Sequence, residues 1–103
     1  MHVSITRVST TGEQSIADAT VVAEEMTRWL DDLEGFQGFL MLSRQGTTLG
    51  LTFWESRAAA ERNRATRLEF LDRITSVAGV EVEEIVDYEV AFARLAGIAV
   101  DGA

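Results

Sequence analysis

The order in which two hydrophobic periodicities follow each other limits what this chain of 103 residues can fold into. Residues 2–9 alternate between two sets of side chains with the period of a half-buried strand. Residues 15–33 then space their apolar side chains three and four apart, as an amphipathic helix does, and Ser15 suits its N-cap. Gly35 suits the left-handed conformation that often follows a helix end. The chain is therefore predicted to begin with a strand and a long helix.

The remaining residues predict a hairpin, two helical segments and a last strand. Residues 36–43 and 48–54 are rich in strand formers and flank a turn-like segment that contains Gly46. Ser56 is a plausible cap for the alanine-rich helix over 57–65. Thr66 and Glu69 then form a capping-box pattern that opens another helix, which ends at Gly79. Alternation over residues 80–92 marks a long final strand.

This order is the split βαβ arrangement of a ferredoxin-like fold. We predict an α+β domain of βαββαβ type over residues 1–93, in which the helices cover one face of a four-stranded antiparallel sheet. Residues 94–103 are small and weakly patterned and form a C-terminal tail.

The second predicted strand is apolar on both faces. Phe39 and Met41 lie on one face, and Leu40 and Leu42 lie on the other. Two helical layers on one side leave the second face without cover, whereas a monomeric two-layer domain keeps a polar open face. We therefore expect a homodimer in which two copies of the sheet face each other across a two-fold axis.

Composition excludes several classes of function. The chain has 17 acidic and 9 basic residues, and a net charge of −8 opposes binding to nucleic acid and to anionic membrane surfaces. The absence of cysteine excludes disulfides, thiolate metal sites and cysteine nucleophiles. No apolar stretch approaches the ~18 residues that span a bilayer. We expect a cytoplasmic protein that is not bound to a membrane and holds no metal.

Two segments resemble the antibiotic biosynthesis monooxygenase family of dimeric α+β barrels, namely residues 35–40 (GFQGFL) and 51–56 (LTFWES). The resemblance implies a pocket between sheet and helices in each subunit. It also implies cofactor-independent oxygenation of a small phenolic or quinone-type aromatic compound. Trp54 is kept, but Gly50 and Ala60 stand where such oxygenases carry an Asn and a Tyr.

Haem-degrading proteins of the same family imply a different site. They carry an Asn, a Trp and a haem-ligating His at the positions that Thr6, Asn63 and Arg73 occupy here. Without that His a haem iron has no evident axial ligand. Haem degradation is therefore the weakest of the alternatives, and no cofactor is expected.

Trp54 and Asn63 are the candidate catalytic residues. Trp54 ends a strand and offers a pocket wall with an indole donor, although a large aromatic residue there also suits the core. Asn63 offers an amide that could bind a substrate oxygen, and the alternative is a solvated helix position.

The candidate substrate-binding residues are Arg7, Arg64, Arg67 and Tyr88. Residues 56–78 hold five arginines against three acidic residues, so Arg62, Arg64 and Arg67 could clamp a carboxylate or phenolate. The alternative is a solvated helix with ion pairs such as Arg57 to Glu61.

The two end strands supply the other candidates. Arg7 shares a strand face with apolar residues, so it either pairs with a carboxylate or points into a pocket. Tyr88 lies on the apolar side of the last strand, as a core residue or as an acid or base. The carboxylates of that strand, among them Glu83, Asp87 and Glu89, predict an exposed acidic edge. His2 is assigned no function.

Two functions stay open on the sequence alone. One is a homodimeric monooxygenase that acts on a small aromatic compound. The other is a non-catalytic homodimer that binds a small hydrophobic or anionic ligand.

Overall fold

The computed structural model describes residues 1–10, 16–78 and 80–96, with side chains for 1–9, 23–69, 71–72 and 82–96. Three helices and four strands occur in the order β1 (His2–Thr10), α1 (Ile16–Leu30), β2 (Phe36–Arg44), β3 (Thr47–Trp54), α2 (Arg57–Arg62), α3 (Arg64–Ala78) and β4 (Val80–Glu89). The strands form one antiparallel sheet in the order β2-β3-β1-β4. The predicted ferredoxin-like α+β fold is confirmed.

The elements follow local signals in the sequence. The hairpin between β2 and β3 turns at Gln45 and Gly46, which both have positive φ. Ser56 caps α2, because its Oγ accepts the Ala59 N–H at 3.1 Å. The predicted caps at Ser15 and Gly79 lie outside the described residues.

Asn63 separates α2 from α3, and the helix start predicted at Thr66 is wrong. α3 begins at Arg64, directly after Asn63. The Asn63 side-chain amide donates to the Ala59 carbonyl at 2.9 Å and to the Glu34 carbonyl at 3.0 Å. These bonds end α2 and fasten it to the loop before β2, so one alanine-rich stretch becomes two helices.

Strand register shows which side of the sheet the helices cover. Ser4 pairs with Thr52 and with Asp87, and the side chains of Ser4 and Thr52 are buried on the helix side. Ile5 pairs with Leu51 and Val86 on the opposite, open side. Each side chain on β1 that faces the helices at positions 2, 4 and 6 is polar, whereas Val3 and Ile5 face away from them. The more apolar side of β1 is therefore the open one.

A β-bulge changes the alternation of β4. Arg7 pairs with Glu84, but the next residue, Val8, pairs with Val82, so Glu83 is the extra residue. Asp87 consequently lies opposite Ser4 on the helix side of the sheet. Asp87 is exposed on the edge strand β4, as the sequence predicted, but the bulge places it on the helix side of the sheet.

The core gathers around Trp54, which has no exposed surface. The buried members of this cluster are Leu30 of α1 and Ala59 and Ala60 of α2. Phe36 meets the Trp54 ring edge-on, with ring centroids 6.0 Å apart. Burying an aromatic side chain of this size stabilises the fold by about 2–3 kcal/mol.

Gly35 brings the loop after α1 into backbone contact with α2. Its φ is +85°, and its carbonyl accepts the Glu55 N–H at 2.7 Å. A Cβ on Gly35 would lie 2.5 Å from the Ala59 Cβ. Both the conformation and the close approach therefore require glycine.

We expect Gly35→Ala to lower the free energy of unfolding by about 2–4 kcal/mol, from left-handed strain together with overpacking against Ala59. Urea unfolding followed by circular dichroism measures the change. Gly50→Ala is the matched control, because a Cβ there meets only the Phe39 ring, at an ordinary 3.6 Å. Equal losses in the two variants would contradict this account of Gly35.

Candidate functional site

A cleft lies between the sheet and helices α1 and α3. Its floor consists of Thr6, Thr52, Ile85 and Asp87, and its walls are Met26, Trp29 and Leu30 of α1 with Arg64, Arg67, Leu68 and Leu71 of α3. Its volume is about 480 Å³ when the open mouth is included. The enclosed part has room for only a few water molecules, so a ligand ring would have to use the mouth or displace a wall.

Apolar residues supply most of the wall, and the charged groups gather at one end of it. Arg64 and Arg67 come from α3, and Asp87 comes from β4. Ser4 lies in register between Thr52 and Asp87, both of which belong to the floor, and only 1% of its surface is exposed. The polar end of the cleft therefore combines hydroxyls, one carboxylate and two guanidinium groups.

Arg67 is the central cation of this end. Its guanidinium carbon lies 5.1 Å from the centroid of the Trp54 ring, and its Nη2 donates to the Ala60 carbonyl at 3.2 Å. Burial lowers the pKa of Arg67, the negative charge of Asp87 opposes that shift, and the positive charge of Arg64 adds to it. An arginine nevertheless keeps its proton, so the cleft holds a permanent, partly desolvated positive charge.

Three buried polar atoms in this region have no hydrogen-bond partner within the described part of the chain. They are Nε of Arg67, Nε1 of Trp54 and Oγ of Ser4. The two nitrogens can only donate, and the hydroxyl can donate or accept. A buried donor without an acceptor costs about 1–3 kcal/mol. The polar end therefore lacks hydrogen-bond acceptors, which a water molecule or a ligand oxygen would supply.

His2 extends the polar row beyond Asp87. Its side chain is buried, and its Nε2 lies 3.9 Å from Oδ2 of Asp87. Ser4, His2 and Asp87 have the residue types of a nucleophilic triad. The Ser4 hydroxyl, however, has no hydrogen bond to any described group, so no base is in position to activate it.

The structure brings together only some of the residues that the sequence singled out. Arg64 and Arg67 line the cleft, as the positive charge of residues 56–78 suggested. Trp54 lies beneath Arg67 and is closed off from the cleft by complete burial. Asn63 lies at the end of α2 and uses its amide on two carbonyls. The catalytic roles of Trp54 and Asn63 stay predictions.

Arg7 and Tyr88 lie on the open side of the sheet. Arg7 pairs with Glu84, with Nη2 and Oε2 3.5 Å apart, and half of each side chain is exposed. Tyr88 pairs in register with Val3 and is 54% exposed. Neither side chain lines the cleft of its own chain, because the sheet lies between them and the helices.

Sequence reasoning missed Asp87 and Thr52, which line the cleft, and it missed Ser4 and His2, which lie on the same side of the sheet next to Asp87. His2, Ser4 and Thr52 could have been found from the sequence as polar residues on the side of the sheet that also carries Trp54. Asp87 was hidden by the bulge at Glu83.

Metal and membrane motifs are absent from the described ranges. These residues contain no group of three His, Cys, Asp or Glu side chains that could hold a metal ion. None of their helices combines the length and the apolarity needed to cross a membrane.

No family model and no curated protein sequence matches the chain. Solved structures do match it. A candidate antibiotic biosynthesis monooxygenase from Deinococcus radiodurans is 21% identical, with 93% of this chain and 98% of that one covered and a TM-score of 0.63. SnoaB, a cofactor-independent oxygenase from Streptomyces nogalater, is 16% identical, with coverage of 89% and 94% and a TM-score of 0.66.

A third structure is the monooxygenase ActVA-Orf6 of Streptomyces coelicolor, solved in complex with nanaomycin D. It is 13% identical, with coverage of 93% of this chain and 92% of that one and a TM-score of 0.64. Likeness at identities this low establishes a shared fold and carries no statement about the reaction. The chain therefore has the fold of the antibiotic biosynthesis monooxygenase-type proteins.

Proposed function

We propose that the chain binds a small phenolic or quinone-type aromatic compound in the cleft and oxygenates it without a cofactor. The observation that carries this proposal is an apolar cleft that ends on Arg67, whose buried Nε has no acceptor among the described residues. In such a site the aromatic ring of the ligand packs on the apolar walls, and an oxygen substituent of the ring binds to the Arg67 guanidinium. The fold shared with solved oxygenases supports the same reading.

The side chains have distinct tasks in this proposal. Met26, Trp29 and Leu30 hold the ring and exclude water from it. Arg67 stabilises the phenolate from which electrons pass to oxygen, and Asp87 accepts the phenolic proton directly or through water. Trp54 acts as a positioning residue, because its ring fixes the guanidinium from below.

An anthrone shows how such a reaction balances. The ring methylene gives up two hydrogens and becomes a carbonyl. One atom of O2 enters that carbonyl, and the other leaves as water with the two hydrogens. The substrate supplies all four electrons that O2 takes up, so no external reductant is required.

The second candidate function is ligand binding without catalysis. It is favoured by Gly50 and Ala60, which bring no polar side chain to the two positions where the oxygenases that the sequence resembles carry Asn and Tyr. Ala60 is also completely buried, so its position offers no group to a ligand.

Oxygen uptake with anthrone and with hydroquinones separates the two candidates. We expect the protein to raise uptake above the buffer rate, and we expect Arg67→Gln to lower kcat/KM at least about tenfold through loss of the charge at the phenolate. Trp54→Phe should lower kcat/KM less, because the Arg67 guanidinium loses its contact with the indole ring and keeps its charge.

Arg62→Gln is the control for these variants. Arg62 is exposed, lies 3.7 Å from Glu34 and does not line the cleft, so this variant changes net charge equally and should keep wild-type rates. Equal uptake with and without the wild-type protein would exclude the oxygenase and leave the binding function.

We further propose that the open side of the sheet pairs with a second copy of the chain. Leu40, Leu42 and Tyr88 on this side are 45%, 46% and 54% exposed, and Phe92 beyond β4 is 85% exposed. An apolar sheet face of this extent rarely stays in water. A second identical face covers it with matching chemistry, and the homodimer so formed keeps the two clefts on its outer, helix-covered sides.

Multi-angle light scattering measures this association. We expect a mass of about twice the 11.3 kDa chain, and we expect Leu40→Glu to return the protein to single chains because it places a charge within the paired faces. Ala58→Glu is the matched control, because Ala58 is an exposed residue of α2, and this variant should stay dimeric. A wild-type mass of one chain would refute the homodimer.

A further inference from the structure

We propose that Phe39 determines the size of the ligand, because its ring fills a ring-sized place over Gly50 that continues the floor of the cleft. The wild-type cleft then takes a one-ring compound, and loss of the Phe39 ring admits a second, fused ring. This inference rests on the proposed binding in the cleft and does not depend on oxygenation.

Gly50 lies on the sheet directly beside the cleft floor. It pairs in register with Thr6 and precedes Thr52 by two residues, so all three residues face the helices. Thr6 and Thr52 both line the cleft. Register partners on neighbouring antiparallel strands have Cα atoms about 4.5–5.5 Å apart. The surface over Gly50 is therefore continuous with the floor.

The Phe39 ring covers this surface. A Cβ on Gly50 would lie 3.6 Å from Cε2 and 3.7 Å from Cζ of Phe39. Apart from the chain neighbours of Gly50, no other described atom lies within 4 Å of that position. Phe39 pairs in register with Thr52, so its ring leans along the sheet from the row of Thr52 to the row of Gly50. One side chain alone therefore fills the place.

Phe39 also bounds the cleft on the side of β2. None of the described residues that line the cleft belongs to β2. Leu30 of α1 lines the cleft and is a member of the buried cluster against which Phe39 packs. The ring thus stands between the cleft and the edge strand of the sheet.

This arrangement limits how far a ligand can extend along the sheet. A one-ring compound occupies the small enclosed part of the cleft together with its mouth, and a second ring that continued over Gly50 would meet Phe39. A glycine in a strand permits the close approach of a ligand. Removal of the Phe39 ring would leave an apolar space on this glycine, and apolar cavities on the order of 150 Å³ bind benzene.

Phenol and 2-naphthol are matched probes for this limit. They carry the same hydroxyl group on one ring and on two fused rings, and both are un-ionised at neutral pH. Isothermal titration calorimetry with the purified full chain measures the affinity for each. The ratio of the two affinities cancels the contribution of the hydroxyl group and reports the space for the second ring.

We expect Phe39→Ala to raise the ratio of 2-naphthol affinity to phenol affinity about tenfold over the wild-type ratio, since a second ring is then buried over Gly50. Adding Gly50→Leu to this variant should return the ratio to the wild-type value, because the leucine fills the same space from β3. Gly50 has no positive φ, so the strand accepts this residue.

Phe53→Ala is the matched control. It removes the same ring from the open side of the sheet, where Phe53 pairs with Val3, and should keep the wild-type ratio. Circular dichroism checks that each variant is folded. If Phe39→Ala fails to fold, Phe39→Leu takes its place, and it should raise the ratio in the same direction because leucine does not reach as far as the phenyl ring.

Each outcome bears on the inference separately from the proposed function. An unchanged ratio in the Phe39 variant, an equal rise in Phe53→Ala, or no return on addition of Gly50→Leu would overturn the inference, even if phenol binds and oxygen is consumed. A raised ratio without oxygen uptake would uphold it and refute the oxygenase. If the wild-type chain binds neither probe, the proposed binding fails. Binding of 2-naphthol by the Phe39 variant then upholds the inference, and its failure to bind overturns it.

Discussion

The contacts of Trp54 hold the domain together. This residue ends β3, and its ring meets Leu30 of α1, Ala59 and Ala60 of α2 and Phe36 of β2. Arg67 of α3 covers the ring from above. Since three helices and two strands meet on one side chain, its position fixes the distance between sheet and helices and so the height of the cleft. The small size of Ala59 and Ala60 is what allows α2 to come so close.

Much of the fold could be predicted from the sequence, because local signals govern element order. The turn at Gln45 and Gly46 and the cap at Ser56 depend only on neighbouring residues. The break at Asn63 could not be predicted, because it depends on the distant Glu34 carbonyl. The side of the sheet that the helices cover could not be predicted either. A period of two separates the two sides of a strand but does not say which side is covered.

The charged residues of α3 at the site could be predicted from the sequence. The residues that strand register places there could not. Arg64 and Arg67 stand out in an acidic chain, and both line the cleft. The sequence pattern grouped Asp87 with its acidic neighbours, whereas the bulge at Glu83 places it on the helix side of the sheet. Ser4 is an unremarkable strand residue in the sequence. Its place between Thr52 and Asp87 on the helix side is a property of the register and not of local composition.

The close approach of Gly35 to Ala59 leaves the structure around α2 with less room to adjust than α3 has. A backbone hydrogen bond from Glu55 to Gly35 and the absence of room for a Cβ lock the loop, the end of β3 and α2 into one unit. α3 reaches the cleft through the side chains of Arg67, Leu68 and Leu71, and Leu68 is partly in solvent. A ligand too large for the enclosed space would therefore have to displace side chains of α3 such as Leu68, because the unit around Gly35 and Ala59 has no room to give.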